Sequence, residues 1–265
     1  MAQIGFLGMG NMGYAMLQGL LNTIDRVDII FSDTNKERVK TVYEETGVRF
    51  VDSNAECANK AKYIILAVKP QFYPAVIKNI RDIVTPDHII ISIAPGITIE
   101  QLQQLLGRDK RIVRAMPNTP ALVKEGMTAI CYEEELFNPQ EIIMIQSIFT
   151  SFGKVKKINE NLINAAVCAS GSSPAYMYMF IETLADSVVK YGMPREDAYE
   201  LIAQTMIGVG RMVLETKMHP GQLKDMVCSP GGTTIEGVLA LEENGFRGAI
   251  AKATDKCYEK SEKMK

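Results

Sequence analysis

The sequence predicts an α/β fold: a doubly wound, parallel sheet in the first part of the chain, followed by an all-helical C-terminal part. Three observations carry this. Short apolar runs at residues 3–7, 63–68, 88–93 and 111–115 alternate with helical patterns up to about residue 158, as expected for strands buried on both faces between crossover helices. A glycine-rich turn, Gly8-Met9-Gly10-Asn11-Met12-Gly13, joins the first run to the first helical pattern. After residue 159 the strand signals stop and apolar stripes at helical spacing take over.

Residues 3–7 (QIGFL) lead straight into that turn, and a helical pattern covers residues 14–21. The turn reads G-x-G-x-x-G between strand and helix, the Rossmann-type dinucleotide fingerprint. Gly8 makes the tight turn, Gly10 lets a pyrophosphate approach the backbone, and Gly13 lets the helix pack on the strand. Asn11 and Met12 complete the loop. A second strand is expected at residues 27–31, ending at Ser32-Asp33-Thr34-Asn35-Lys36. Asp33 stands 20 residues after Gly13, where a carboxylate accepts from a ribose 2′-hydroxyl and favours NAD. Ser32, Thr34, Asn35, Lys36 and Arg38 together offer what a 2′-phosphate needs, so both NAD and NADP stay open on these residues.

Further along, helices are expected at residues 36–46, 74–83, 99–106 and 142–149, with short strands at 48–51 and 155–158. Thr98 and Gln101 read as a capping box. Ligands of open α/β sheets bind beyond the carboxyl ends of the strands. Three such ends carry proline-fixed turns: AVKPQ at 67–71, APG at 94–96 and AMPNTP at 115–120. Proline lowers the ordering cost of a loop that presents groups to a ligand. Lys69 is placed to meet a cofactor's charge or ribose hydroxyls, and Met116, Pro117 and Asn118 to line a nicotinamide.

In the C-terminal part, Ser172-Ser173-Pro174 starts a helix that Gly192 stops, and Pro194 starts another reaching about residue 216. His219-Pro220-Gly221 breaks the pattern, a short helix follows at 222–227, and a last one spans about 246–263. Met177, Phe180, Leu184 and Val188 form one stripe; Leu201, Met206, Val209 and Val213 form another. They exceed what a domain of this size needs for its own core, so a helical dimer interface is expected. Residues 1–158 are assigned to a dinucleotide-binding domain and 159–265 to a helical substrate and dimerisation domain.

Between the last two helices lies Ser229-Pro230-Gly231-Gly232-Thr233-Thr234-Ile235-Glu236. Pro230, Gly231 and Gly232 bend the backbone tightly. Thr233 with Glu236 reads as a capping box opening a helix. Free N–H groups and hydroxyls at a positive helix end suit a small carboxylate, although an isolated turn of this kind also serves as an ordinary helix start.

Composition excludes several classes. The chain has 265 residues, 47% of them hydrophobic, and a net charge of −2, so no global field recruits nucleic acid or an anionic membrane. There is no basic segment followed by a long apolar one at the start, and no apolar run nears the roughly 20 residues that span a bilayer. Five cysteines without a CxxC pair, and only two histidines, argue against a zinc site or disulfide framework. A reduced, cytoplasmic protein without metal is expected.

The motifs GFLGMGNMG, AVKPQ, SIAPG, RAMPNTPALV, SGSSPAY, HPGQLKDMVCSPGGTTIE and ENGFR, in this order and spacing, closely resemble the pyrroline-5-carboxylate reductase family. The resemblance spans essentially the whole chain, and the HPGQLKDMVCSPGGTTIE segment is its most specific part. It implies a Rossmann domain followed by a helical dimerisation domain, and reduction of 1-pyrroline-5-carboxylate to L-proline by NAD(P)H, usually NADPH, in the last step of proline biosynthesis. It also implies homodimers that assemble further, commonly into decamers. By motif match Thr234 is the active-site threonine that hydrogen-bonds the ring nitrogen. Ser229, Gly232 and Thr233 fall in the carboxylate-binding loop. Gly8, Asn11 and Met12 match the cofactor loop; Val68, Lys69, Pro70 and Ala94 lie near the cofactor; Asn118 sits beside the nicotinamide. Asp33 is the departure from the family pattern, and it bears on the NADPH preference.

The chemistry fits the residues. A cyclic imine can arrive already as iminium, so a threonine hydroxyl suffices where no catalytic histidine is evident. His88 reads as structural and His219 as a cap. A β-hydroxyacid dehydrogenase shares this layout but needs a lysine on the first long helix of the second domain, where none occurs between Pro174 and Lys190. A nucleotide-sensing regulator leaves the SPGGTT turn unexplained.

Overall fold

The computed structural model describes residues 2–264, which fall into two compact units. One runs to Pro174 and takes back the segment from Cys257 on; the other is Ala175–Lys256. The first unit holds β1 (Ala2–Leu7), α1 (Asn11–Leu20), β2 (Ile29–Ser32), α2 (Lys36–Thr46), β3 (Arg49–Phe50), α3 (Asn54–Lys60), β4 (Ala61–Leu66), α4 (Tyr73–Ile80), β5 (Ile89–Ser92), α5 (Ile99–Leu106), β6 (Arg111–Met116), β7 (Gly126–Cys131), α6 (Pro139–Thr150), β8 (Gly153–Lys157) and α7 (Ile163–Ala166). The eight strands form one sheet in the order β3-β2-β1-β4-β5-β6-β7-β8. All neighbours pair parallel except β6 and β7. The order reverses between β1 and β4, the switch point at which such sheets bind ligands.

The apolar runs explain this layering. In β4 and β5, Ile65, Ile89 and Ile91 belong to one core and Ile64, Leu66 and Ile90 to another. Successive side chains point to opposite faces, so a continuous apolar run needs cover on both sides, and the helices supply it. Thr98 caps α5 with both halves of the box in place. Elements α3 and β7 were not expected from the sequence. The α3 helix (NAECANK) is too polar to show a stripe, but Ser53 caps it by accepting from Glu56 N at 3.1 Å. Strand β7 (GMTAIC) is weakly apolar at its start, and a 3₁₀ turn at Thr119–Val123 turns it back antiparallel to β6.

The chain continues from α7 through a π-helical turn, Val167–Ser172, into α8 (Ser173–Val189), so helical structure begins about ten residues before the predicted start. Pro174 has no N–H to give to the carbonyl of Ser170, four residues back, and the register loosens there. The second unit takes most of α8, then α9 (Arg195–Thr216), α10 (Pro220–Val227), α11 (Thr233–Glu243) and most of α12 (Phe246–Glu262). Its buried cluster is small: Ala185, Ala198 and Ile202, with Ile181, Val188 and Met193 packed against them. Met179 and Val209 are exposed, at 64% and 60%. Among the described residues no helix is long and apolar enough to cross a membrane.

One buried charge ties the sheet to its helices. Glu141, in the capping box of α6, accepts from Asn138 N, from Lys62 Nζ at 2.7 Å and from Arg111 Nη1 at 2.7 Å. Burial pushes its carboxyl up, but the Lys62 hydrogen bond, the Asn138 N–H and Arg111 outweigh this and hold it at about 2. Its usual value is about 4.3, so the interaction stabilises the fold fully above that value and is lost as pH falls toward 2. Glu141→Gln is expected to cost about 2 kcal/mol near neutral pH, with the gap to wild type closing below about pH 4. A melting-temperature difference that stays constant through that acid range would refute this role.

Candidate active site

The glycine loop shows three different reasons for glycine. Gly8 has φ +95°, and a Cβ there would lie 2.6 Å from Val68 Cγ1 and 2.9 Å from the Ala67 carbonyl oxygen. A Cβ on Gly13 would stand 3.0 Å from the Gly8 carbonyl oxygen and 3.2 Å from Ala67 Cβ. Gly10 differs: a Cβ there meets nothing within 4 Å, so its bare backbone faces open space. Gly10 is also the N-cap of α1, with no side-chain cap and no acidic residue in the first turn. The unpaired N–H groups of that turn are left for an anion. Space above Gly10, bare N–H groups and absence of negative charge fit a pyrophosphate.

The second strand end wraps this loop. Gly8 N donates to Ser32 O at 2.8 Å, and the Ser32 hydroxyl donates to Asn54 Oδ1 at 2.7 Å. Asp33 turns toward the protein's own backbone: Oδ2 accepts from Met9 N at 2.6 Å and Oδ1 from Asn35 N at 2.8 Å. Asn35 caps α2 by accepting from Arg38 N at 3.1 Å. Arg38 Nε donates to Met9 O at 2.8 Å, with its guanidinium 4.5 Å from the Tyr14 ring centroid. Sequence reasoning missed Asn54 and Tyr14. Asn54 was hidden because its contact with Ser32 crosses 22 residues of chain.

Val68 is half-buried against Gly8, Pro70 is half-buried, Lys69 is exposed, and Ala94 is buried beyond β5. Tyr73 braces these strand ends, its hydroxyl donating to Leu66 O at 2.9 Å and pairing with Ser92 Oγ at 3.0 Å; burial raises its pKa. Asn118 is buried and hydrogen-bonded at both ends of its amide. Its Oδ1 accepts from Met127 N at 2.8 Å, and its Nδ2 donates to Ser170 O at 3.0 Å. That is the carbonyl Pro174 leaves without a donor, so Asn118 closes the gap. A Cβ on Gly171 would lie 2.9 Å from Met116 Cε. The first unit therefore gathers Gly8, Gly10, Asn11, Met12, Gly13, Ser32, Asp33, Asn35 and Val68 around one loop. Lys69, Pro70, Ala94 and Asn118 stand at the neighbouring strand ends.

In the second unit, α11 begins one residue earlier than the predicted capping box requires. Gly231 has φ +68°, Gly232 N donates to Ser229 O at 3.0 Å, and Gly232 is the N-cap. Thr233 is thus the first helical residue and Glu236 the fourth, so the Thr233–Glu236 box does not form. The helix end has no side-chain cap, leaving the N–H groups of Thr233, Thr234 and Ile235 without helical partners. Ser229 Oγ lies so close that a Cβ on Gly232 would sit 2.4 Å from it. Glycine at 232 keeps room for that hydroxyl. His219 caps α10, its Nδ1 accepting from Gly221 N at 3.0 Å.

This sheet and glycine loop define a Rossmann-type, dinucleotide-dependent oxidoreductase. The family model described as NADP oxidoreductase coenzyme F420-dependent matches residues 3–96, and the one described as pyrroline-5-carboxylate reductase dimerisation matches residues 160–264. Pyrroline-5-carboxylate reductase of Escherichia coli (strain K12) is 46% identical, covering 99% of this chain and 98% of that protein. The enzyme of Methanosarcina acetivorans is 38% identical, covering 99% and 97%. The crystal structure of the Plasmodium falciparum reductase with NADP bound superposes with TM-score 0.89 at 35% identity, covering 99% of this chain and 98% of that one. The Coxiella burnetii structure gives 0.90 at 32% identity, with the same coverage. The chain belongs to the pyrroline-5-carboxylate reductase family.

The loop geometry separates two glycine substitutions. Gly10→Ala has room and an allowed φ of −69°, so its melting temperature is expected to match wild type while nucleotide affinity falls about tenfold or more. Gly8→Ala is expected to lose about 2 kcal/mol of stability, because both φ and Val68 oppose it. Calorimetry on both variants checks this; a destabilised Gly10→Ala that binds normally would contradict it.

Proposed function

We propose that the protein reduces the C=N bond of 1-pyrroline-5-carboxylate to give L-proline, the last step of proline biosynthesis, with NADPH as donor and NADH accepted. The observation that carries this is the pairing, in one family member, of a bare glycine cradle in one unit with an uncapped, hydroxyl-rich helix tip in the other. Bound dinucleotide supplies hydride from its nicotinamide C4. The chain's own residues do the rest. Gly8, Gly10, Asn11, Met12 and Gly13 hold the pyrophosphate. Ser32, Asp33 and Asn35 border the adenosine end, Val68, Lys69, Pro70 and Ala94 the middle, and Asn118 the nicotinamide end.

At the α11 tip, the Gly232–Thr233 backbone and Ser229 hydroxyl hold the substrate carboxylate, and Thr234 is the catalytic residue that hydrogen-bonds the ring nitrogen. The imine can arrive already as its iminium, so the protein need not supply a strong acid. The acceleration comes from holding two reactants at bonding distance. The exposed apolar faces of α8 and α9 support a homodimer through the helical domain, residues 159–265, that assembles further, as in a decamer. The enzyme is assigned to the cytoplasm.

The purified protein is expected to consume NADPH, followed by its absorbance band, only when the imine is added. Thr234→Ala should lower kcat about tenfold or more and leave the Kd for NADP+ within about twofold. No consumption by wild type sinks the activity, and unchanged turnover by the variant removes Thr234 from the mechanism.

A further inference from the structure

We infer that Asp33 is a positioning residue for the glycine loop and does not read the 2′-position of the cofactor's ribose. The inference rests on the reading that this loop holds a dinucleotide. Four hydrogen bonds close a ring. Asp33 Oδ2 accepts from Met9 N at 2.6 Å, Arg38 Nε donates to Met9 O at 2.8 Å, Asn35 Oδ1 accepts from Arg38 N at 3.1 Å, and Asp33 Oδ1 accepts from Asn35 N at 2.8 Å. The two peptide groups flanking Met9 are thus gripped from both sides by side chains that sit 24 and 29 positions later in the chain.

Met9 is the residue between the first two glycines, and its side chain is 0% exposed. Its backbone cannot be steered by its own side chain's contacts with a ligand; the ring does the steering. Gly10 and the bare first turn of α1 follow directly, so the ring sets where the pyrophosphate donors stand. Charge-assisted bonds to backbone groups are the strong ones, and Arg38 is further held over the Tyr14 ring, whose hydroxyl pairs with Gln18 Nε2 at 2.8 Å and with Glu45.

Each oxygen of Asp33 accepts from a backbone N–H of this chain, so the carboxylate is turned toward the glycine loop and the start of α2. The ring also carries one positive group for its one negative group, which mutes the repulsion a lone aspartate would exert on a 2′-phosphate. An aspartate at this place is therefore compatible with NADP. It contributes to both nucleotides alike, through the part of the molecule they share.

The test is calorimetric titration of NADP+ and NAD+ into wild type, Asp33→Asn, Arg38→Met and the double variant, with KM for the imine measured alongside. Asp33→Asn keeps the size of the side chain but sets an amide N–H against a backbone N–H. It is expected to weaken NADP+ and NAD+ by the same factor, about tenfold, with the imine KM within about twofold of wild type. For NAD+, which lacks the 2′-phosphate, the double variant should bind no more weakly than the weaker single one, because both act on one loop. Asp33→Ser, whose hydroxyl still accepts from Asn35 N, is read by the same ratio where the asparagine variant does not fold. A shift of the NADP+ to NAD+ ratio by more than about fivefold in either Asp33 variant, or losses that multiply in the double variant, overturns the assignment. Wild type that binds neither nucleotide overturns the cofactor reading itself, a distinct result.

Discussion

Where the strand order reverses between β1 and β4, the backbone leaves the sheet at Gly8 with φ +95° and passes within van der Waals contact of Val68 and Ala67. The start of α1 comes equally close, at Gly13 against the Gly8 carbonyl. Three elements meet where no side chain fits, and this close approach fixes the direction in which α1 departs. The remaining features of the nucleotide half follow from it: Gly10 facing open space, the N–H groups of the first turn pointing outward, and Met9 placed where Asp33 and Arg38 reach its backbone. A larger residue at position 8 would move all of them together.

The two halves of the proposed chemistry use one physical device twice. Most of the helices with polar N-caps, α2, α3, α5, α6 and α10, satisfy their first N–H groups with their own side chains. Helices α1 and α11 begin at Gly10 and Gly232 and do not. A glycine N-cap leaves the donors bare and the approach open, which suits each helix end to an anion: in the proposed chemistry, a phosphate at one and a carboxylate at the other. Hydride transfer to a protonated imine asks little more than this, because no group must be deprotonated and no strong acid supplied. A threonine at the second position of α11 then has a role that a histidine is not needed for.

Local features were readable in the residues and distant ones were not. The runs at β4 and β5 announce doubly buried strands, and the Thr98–Gln101 box forms as read, because both signals lie within a few neighbouring positions. Strand β7 escaped because its antiparallel return depends on the 3₁₀ turn at Thr119–Val123, not on its own weak apolar pattern. The Thr233–Glu236 box failed by one residue, since the positive φ of Gly231 moved the helix start to Gly232. For Asp33, spacing alone pointed to a ribose contact, whereas the carboxylate faces Met9 across 24 residues of chain. Asn118 has a similar history: its motif marks it for the cofactor, and its amide also repairs the carbonyl orphaned by Pro174.

The central claim is that hydride passes directly from the nicotinamide C4 of the dinucleotide to the imine carbon of the substrate. Its most direct test is isotope transfer: the protein is incubated with the imine and NADPH deuterated at both C4 positions, and the proline formed is analysed by mass spectrometry. The account predicts proline carrying one deuterium, on the δ-carbon. Proline without label, or none at all, would contradict it.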